Sequence, residues 1–222
     1  MVKITMGNNL AHILLFLLSL TVVGCQQTEE NTSPTKANKT IKKSASQKGI
    51  AESKQLLHDG DIVLRTGNDV ISGLFAQLNK RDKTYSHCGI TFLEHGQWVV
   101  YHSIGGEDNP DEKLRRDAFD KFVSSEYNLG YAICRYPLTS KQTESLKNTV
   151  LSFYTKQIPF DMKFDLHTDD RLYCAEMIYK AFNIALDTSH FFTTTIHRGF
   201  EYVSTDNIFG NNNARILCHI VY

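Results

Sequence analysis

The 222-residue sequence has no excess of either charge, because 24 Lys and Arg face 24 Asp and Glu. It has no basic stripe either, which argues against nucleic acid as the main partner. No apolar run is long enough to span a membrane: a spanning helix needs about 20 residues, and the run from Leu10 to Val23 is about 14. The five cysteines form no CxxC, and no two of the nine histidines stand three or four residues apart. Those are the spacings that bring zinc ligands together, so neither a metal nor a cofactor is expected.

What is present divides the chain in three. Lys3 followed by the Leu10–Val23 run suits the charged and apolar parts of a signal peptide over residues 1–24. The stretch Val22-Val23-Gly24-Cys25 resembles the bacterial lipobox, which implies cleavage before Cys25 and lipidation of its sulfur. The acyl chains would hold the mature protein on a membrane surface without a spanning helix. That places it in the bacterial cell envelope, on the periplasmic or outer-membrane face. Residues 25–50, rich in Gln, Thr, Asn, Ser and Lys, bury too little apolar surface to order themselves and read as a tether. Residues 51–222 hold nearly all the aromatics and aliphatics and form one domain. In an exported chain Cys88, Cys134, Cys174 and Cys218 are open to disulfide pairing as well as to service as free thiols, and sequence does not choose.

Within the domain, Gly60-Asp61-Ile62-Val63-Leu64-Arg65 reads as a turn and a strand, and Asp69 to Leu78 as a short helix. Tyr85 to Leu93 and Trp98 to Ile104 read as a hairpin turning at Glu94-His95-Gly96-Gln97. With Leu93 facing Trp98, Gly89 faces His102 and leaves space above the sheet, while His87 and His102 become diagonal neighbours on one face. Lys113 to Val123 reads as a helix, Tyr131 to Tyr136 as a strand, and Ser140 to Tyr154 as a helix capped by Ser140. The next helix, capped by Asp169 or Asp170, carries Cys174 in its first turn, and Arg215 to Tyr222 forms a last strand. The class is α+β, an antiparallel sheet packed against helices.

A cysteine at a helix start meets unpaired amides and the positive end of the helix dipole, both of which favour thiolate. Cys174 is therefore the candidate nucleophile, His87 its base and ion-pair partner, and His102 the group that orients His87. The Cys174 amide is placed to face an oxyanion. Tyr85 and Tyr173 flank these residues and are candidate substrate contacts.

The same segments carry a family resemblance. Gly60 to Arg65, Tyr85-Ser86-His87-Cys88-Gly89-Ile90, Val99 to Gly105, Pro159 to Phe164 and Tyr173-Cys174-Ala175-Glu176-Met177-Ile178 resemble the circularly permuted, papain-like branch of the NlpC-type hydrolases, the YiiX/YebB-like group. That group is related in fold to lecithin retinol acyltransferase. The resemblance implies the order His, third polar residue, Cys, which this chain keeps. It departs in having His102 where Glu is frequent, Cys88 where an aliphatic residue is usual, and Ala175 in place of Ser. It implies a cysteine amidase or peptidase that works through a thioester on small peptides or amides, including peptidoglycan-derived ones. The alternatives are a lipid acyltransferase or lipid amidase of the same fold, and a catalytically silent ligand-binding lipoprotein.

Overall fold

A computed structural model describes residues 46–105 and 109–222. The expected signal peptide, Cys25 and most of the expected tether lie outside the described residues. Residues 46–54 are helical, and we label this helix α1. Ile50 and Ser53 of α1 are buried, and the Ser53 hydroxyl is hydrogen-bonded to that of Tyr131 at 2.8 Å. Residues 46–50, which the sequence places in the tether, thus belong to the fold.

The domain is built on one six-stranded antiparallel sheet. Its strands are β1 (Ile62–Gly67), β2 (His87–Glu94), β3 (Gln97–His102), β4 (Arg115–Ala118), β5 (Asn128–Arg135) and β8 (Arg215–Val221). They lie in the order β4-β3-β2-β1-β5-β8. A two-stranded ribbon of β6 (Thr195–His197) and β7 (Phe200–Tyr202) stands apart from it. The helices are α2 (Val70–Ala76), α3 (Phe119–Phe122), α4 (Ser140–Thr155), α5 (Cys174–Ala185) and α6 (Thr205–Phe209). None of the described helices is long and apolar enough to cross a membrane.

Strand alternation sorts the core onto the two faces of the sheet. Ile62, Leu64, Cys88, Ile90, Phe92, Tyr101 and Ala132 pack with Met177, Ile178, Ala181 and Phe182 of α5 and with Leu146 and Val150 of α4. Full burial of each large apolar side chain on α5 stabilises the fold by about 1.5–3 kcal/mol, which is what clamps this helix to the sheet. On the opposite face Val63, Val100, Tyr131 and Ile133 pack with Ile50 and with Phe119 and Phe122 of α3. Cys134 belongs to the first cluster and Cys218 packs against the second, so the sheet separates them; all four described cysteines are free thiols.

The β2–β3 hairpin has the expected register, Leu93 opposite Trp98 and Ile90 opposite Tyr101. His95 and Gly96 both have positive φ, 48° and 79°, the pair that a two-residue turn needs to match strand twist. The space expected above Gly89 is closed. A Cβ there would lie 2.5 Å from Val100 Cγ1 and 2.8 Å from the Tyr101 carbonyl, so glycine serves close approach of β3.

Three local readings are corrected. Lys113 to Val123 is not one helix: Arg115–Ala118 pair with β3 as the edge strand, and only Phe119–Phe122 are helical. Helix α4 is capped by Thr139, which accepts from the Gln142 amide, so Ser140 is already its first residue. Helix α5 starts after Tyr173 rather than after an aspartate, and Glu176 reaches back to accept from the Tyr173 amide at 3.1 Å.

Candidate active site

The site lies where β2 begins, β3 ends and α5 starts. The ladder between β2 and β3 runs only as far as Ile90 and Tyr101. Beyond it Ser103 turns to the segment ahead of α5 and donates its hydroxyl to the Leu172 carbonyl. The Cys88 amide is thereby left without a ladder partner on that side. It is one of three amides, with those of Ala175 and Cys174 itself, that stabilise the Cys174 thiolate. Tyr173, the N-cap of α5, offers no side-chain cap to these first-turn amides, so they remain available to a negative charge.

Cys174 is half-buried, and the Cys88 thiol is its neighbour on the sheet face that α5 covers. The Cys88 thiol is the largest influence lowering the Cys174 pKa below its ordinary value, with burial opposing and the amides adding to it. Burial pushes the Cys88 pKa well above its ordinary value, so Cys88 acts as a protonated donor. The unusual residue at 88 is therefore part of the thiol's environment: it shares the sheet face that α5 covers, while His87 points to the other.

His87 and His102 share a face, as the register required. His87 Nε2 lies 2.9 Å from His102 Nδ1, and His102 Nε2 lies 3.1 Å from Asp117 Oδ2. Phe122 walls both rings, at 5.7 and 4.9 Å between centroids. The network assigns the protons. A carboxylate only accepts, so His102 carries its proton on Nε2; its Nδ1 then accepts from His87 Nε2–H, leaving the lone pair of His87 on Nδ1. Asp117 also pairs with Lys121 at 2.9 Å and Arg115 at 3.3 Å. Its hydrogen bond to His102, the largest of several favourable contacts, holds its pKa well below the usual carboxylate range.

The expected thiolate–imidazolium pair is corrected in one respect. Burial first, then the charge of Arg65 and the neighbouring His102, hold the His87 pKa well below its ordinary value. The base is thus a neutral imidazole at pH 7. Burial likewise lowers His102 to about 4, against the pull of Asp117. Both shifts tie stability to pH. As pH falls from about 6.5 towards 4, the unfolded chain takes up protons that the native chain refuses, so stability present above 6.5 is lost on acidification. For His102 alone that loss is about 3 kcal/mol by pH 4. Urea titrations at pH 7.0, 5.5 and 4.5 are expected to show a falling midpoint; a midpoint independent of pH over this range would refute the neutral assignment.

Tyr85 and Tyr173 do not line a cleft. Both are buried, Tyr85 edge-on to Phe209 at 5.1 Å, and Tyr173 with its hydroxyl accepting from the Val203 amide at 2.8 Å. Their flanking places in sequence bring them to the core instead. Asp117 is absent from the sequence-derived candidates. Treating Lys113–Val123 as a helix hid Asp117, whereas alternation along an edge strand beside His102 would have exposed it.

The fold is matched by the crystal structure of the metalloprotein YiiX from Escherichia coli O157:H7. The TM-score is 0.61 at 18% identity, over 74% of this chain and 98% of that one. Among the described residues no group of three or more His, Cys, Asp or Glu side chains is disposed to hold a metal ion. His102 uses both ring nitrogens on His87 and Asp117, so this donor set does not fit a resident metal. No curated protein sequence matches the chain. Residues 56–207 match the family described as permuted papain-like amidase enzyme, YaeF/YiiX, C92, a span that contains both histidines, Asp117 and Cys174. An antiparallel sheet with a thiol at the start of a packed helix is the permuted papain-like architecture, and the chain belongs to this family of cysteine amidases.

Proposed function

We propose that the protein is a cell-envelope amidase in which Cys174 is the nucleophile, His87 the base and His102 with Asp117 the groups that orient it. The substrates are amide bonds in cell-wall-derived peptides or related small amides. The observation that supports this reading is the hydrogen-bonded file from His87 through His102 to Asp117, which leaves His87 Nδ1 as the free acceptor; no hydrogen bond joins His87 to Cys174 among the described residues, so on this reading the ring turns towards the sulfur from the far face of β2 to take the proton. The sulfur attacks the amide carbonyl as His87 Nδ1 takes the thiol proton, and first-turn amides of α5 receive the charge on oxygen. Collapse expels the amine, which takes that proton, and leaves a thioester. Water, deprotonated by the same nitrogen, then releases the acid. On this reading Cys25 is the lipid-bearing residue that holds the enzyme at the membrane, a proposal that rests on the Leu10–Val23 run and the lipobox-like segment after it.

The test is a substrate panel of muropeptides, simple acyl-peptide amides and N-acyl lipid amides, run beside labelling with an electrophilic thiol probe. Hydrolysis of the peptides with a burst of acyl-enzyme on Cys174 is expected. Turnover of the lipid amides alone would move the assignment to a lipid amidase, and an unlabelled Cys174 with no turnover to a silent binding protein.

A further inference from the structure

The charge at this site is unevenly partnered. Arg115 and Lys121 are both paired with Asp117. Arg65 is not: among the described residues it meets no carboxylate in ion-pair contact. It stands on β1 directly opposite His87, on the sheet face that carries both imidazoles. Its Nη1 donates to the Phe122 carbonyl at 3.2 Å, and its Cζ sits 4.6 Å from the centre of the Phe122 ring, the ring that also walls the two histidines. Its Nε is buried with no hydrogen-bond partner. The side chain is only partly covered; burial lowers its pKa, and the negative charges of Asp117 and Cys174 oppose that.

An orphaned buried N–H ordinarily costs about 1–3 kcal/mol, and native proteins rarely keep one without a use. A guanidinium held at one nitrogen by a carbonyl and on one face by a ring is pre-oriented, with donors left over in the planar fork that fits a carboxylate. We infer that Arg65 is a specificity-determining residue that binds a carboxylate of the substrate close to the scissile amide. This deepens the amidase reading and rests on it: the preferred substrates are amides of amino acids or peptides whose free carboxylate reaches the β1 side of His87. Neutral amides of the same shape are poor substrates.

The test uses an N-acyl dipeptide with a free C-terminal carboxylate and the same peptide as its carboxamide. The native protein is expected to favour the acid in kcat/KM by about 30-fold or more, the size of effect that a charge-assisted bidentate contact produces. Arg65→Met should bring that ratio close to one, mostly through KM for the acid. Arg65→Lys, which keeps the charge but not the fork, should retain part of it and guards against misfolding of the methionine variant. A ratio unchanged in both variants, with the two substrates losing activity equally, would overturn the inference and leave Arg65 acting on the thiol and imidazole alone. A second arm separates this from failure of the amidase reading. Calorimetry of the two peptides with the Cys174→Ala protein needs no turnover, and tighter, salt-sensitive binding of the acid that Arg65→Met removes supports the inference even if neither peptide is hydrolysed. Equal binding of acid and carboxamide overturns it.

Discussion

Replacing Cys174 by alanine lowers kcat/KM by about 10⁴-fold or more while leaving the fold in place, because removing a nucleophile takes away the whole covalent route. What survives is the modest help that oriented amides and binding give to attack by water. The fold tolerates the change because Cys174 is half-buried at the first turn of α5, where Met177, Ile178, Ala181 and Phe182 do the anchoring. A loss of about 1 kcal/mol, or roughly 2–4 °C in Tm, is the expected structural cost. Serine does not rescue activity: its hydroxyl is far less acidic than the thiol, and a neutral imidazole of lowered basicity removes its proton poorly. Steady-state rates, thermal melts and mass spectrometry after limited alkylation check this together. Native protein takes up the label at Cys174 ahead of Cys88, which is buried and hard to ionise, and Cys134, whose thiol burial raises to about 12. Turnover unchanged in the alanine variant would refute Cys174 as nucleophile.

Much of this site was legible because two periodicities fix it. A strand alternates strictly, so one assumed pair, Leu93 with Trp98, carried His87 and His102 onto a common face, and the structure keeps that pair. The start of α5 was legible from the apolar spacing of Met177, Ile178, Ala181 and Phe182, even though its cap was misassigned: Tyr173 has no capping side chain, and Glu176 does the work from inside the helix. Asp117 was not legible as part of the site. The segment Arg115-Arg116-Asp117-Ala118 has neither the β-branched residues nor the aromatics of a strand, and it is extended only because β3 offers it a free edge. Tertiary pairing overrode local preference there, and with it the carboxylate behind His102 stayed hidden. The two tyrosines failed for a related reason. Neighbouring a functional residue along the chain says nothing of which way a ring turns, and these turn into the core.

That hidden carboxylate gives the second large effect. Asp117→Asn should lower kcat by about 10²–10³-fold without a matching change in KM, somewhat less than when the carboxylate touches the basic histidine itself. Lys121 donates to Oδ1 of Asp117 at 2.9 Å, and Arg115 lies 3.3 Å from the Oδ2 that faces His102; with its carbonyl oxygen kept on Lys121, an asparagine turns its NH₂ towards His102 Nε2 and displaces the Arg115 guanidinium. An NH₂ group cannot accept a hydrogen bond, so His102 moves its proton to Nδ1. His87 Nε2 must then accept instead of donate, which puts the His87 proton on Nδ1, the nitrogen that should receive the thiol proton. The base is thus blocked two residues away from the change, by tautomer alone and with every ring still in position. A purely structural role for Asp117 predicts something different: lost stability and a raised KM with unaltered imidazole tautomers. Nitrogen-15 shifts of the two imidazoles decide between them. In the native protein they should report His87 protonated on Nε2 and His102 on Nε2; in Asp117→Asn both should report Nδ1. Native shifts with His87 already protonated on Nδ1 would break the chain of donors, and with it the argument that Asp117 sets the base.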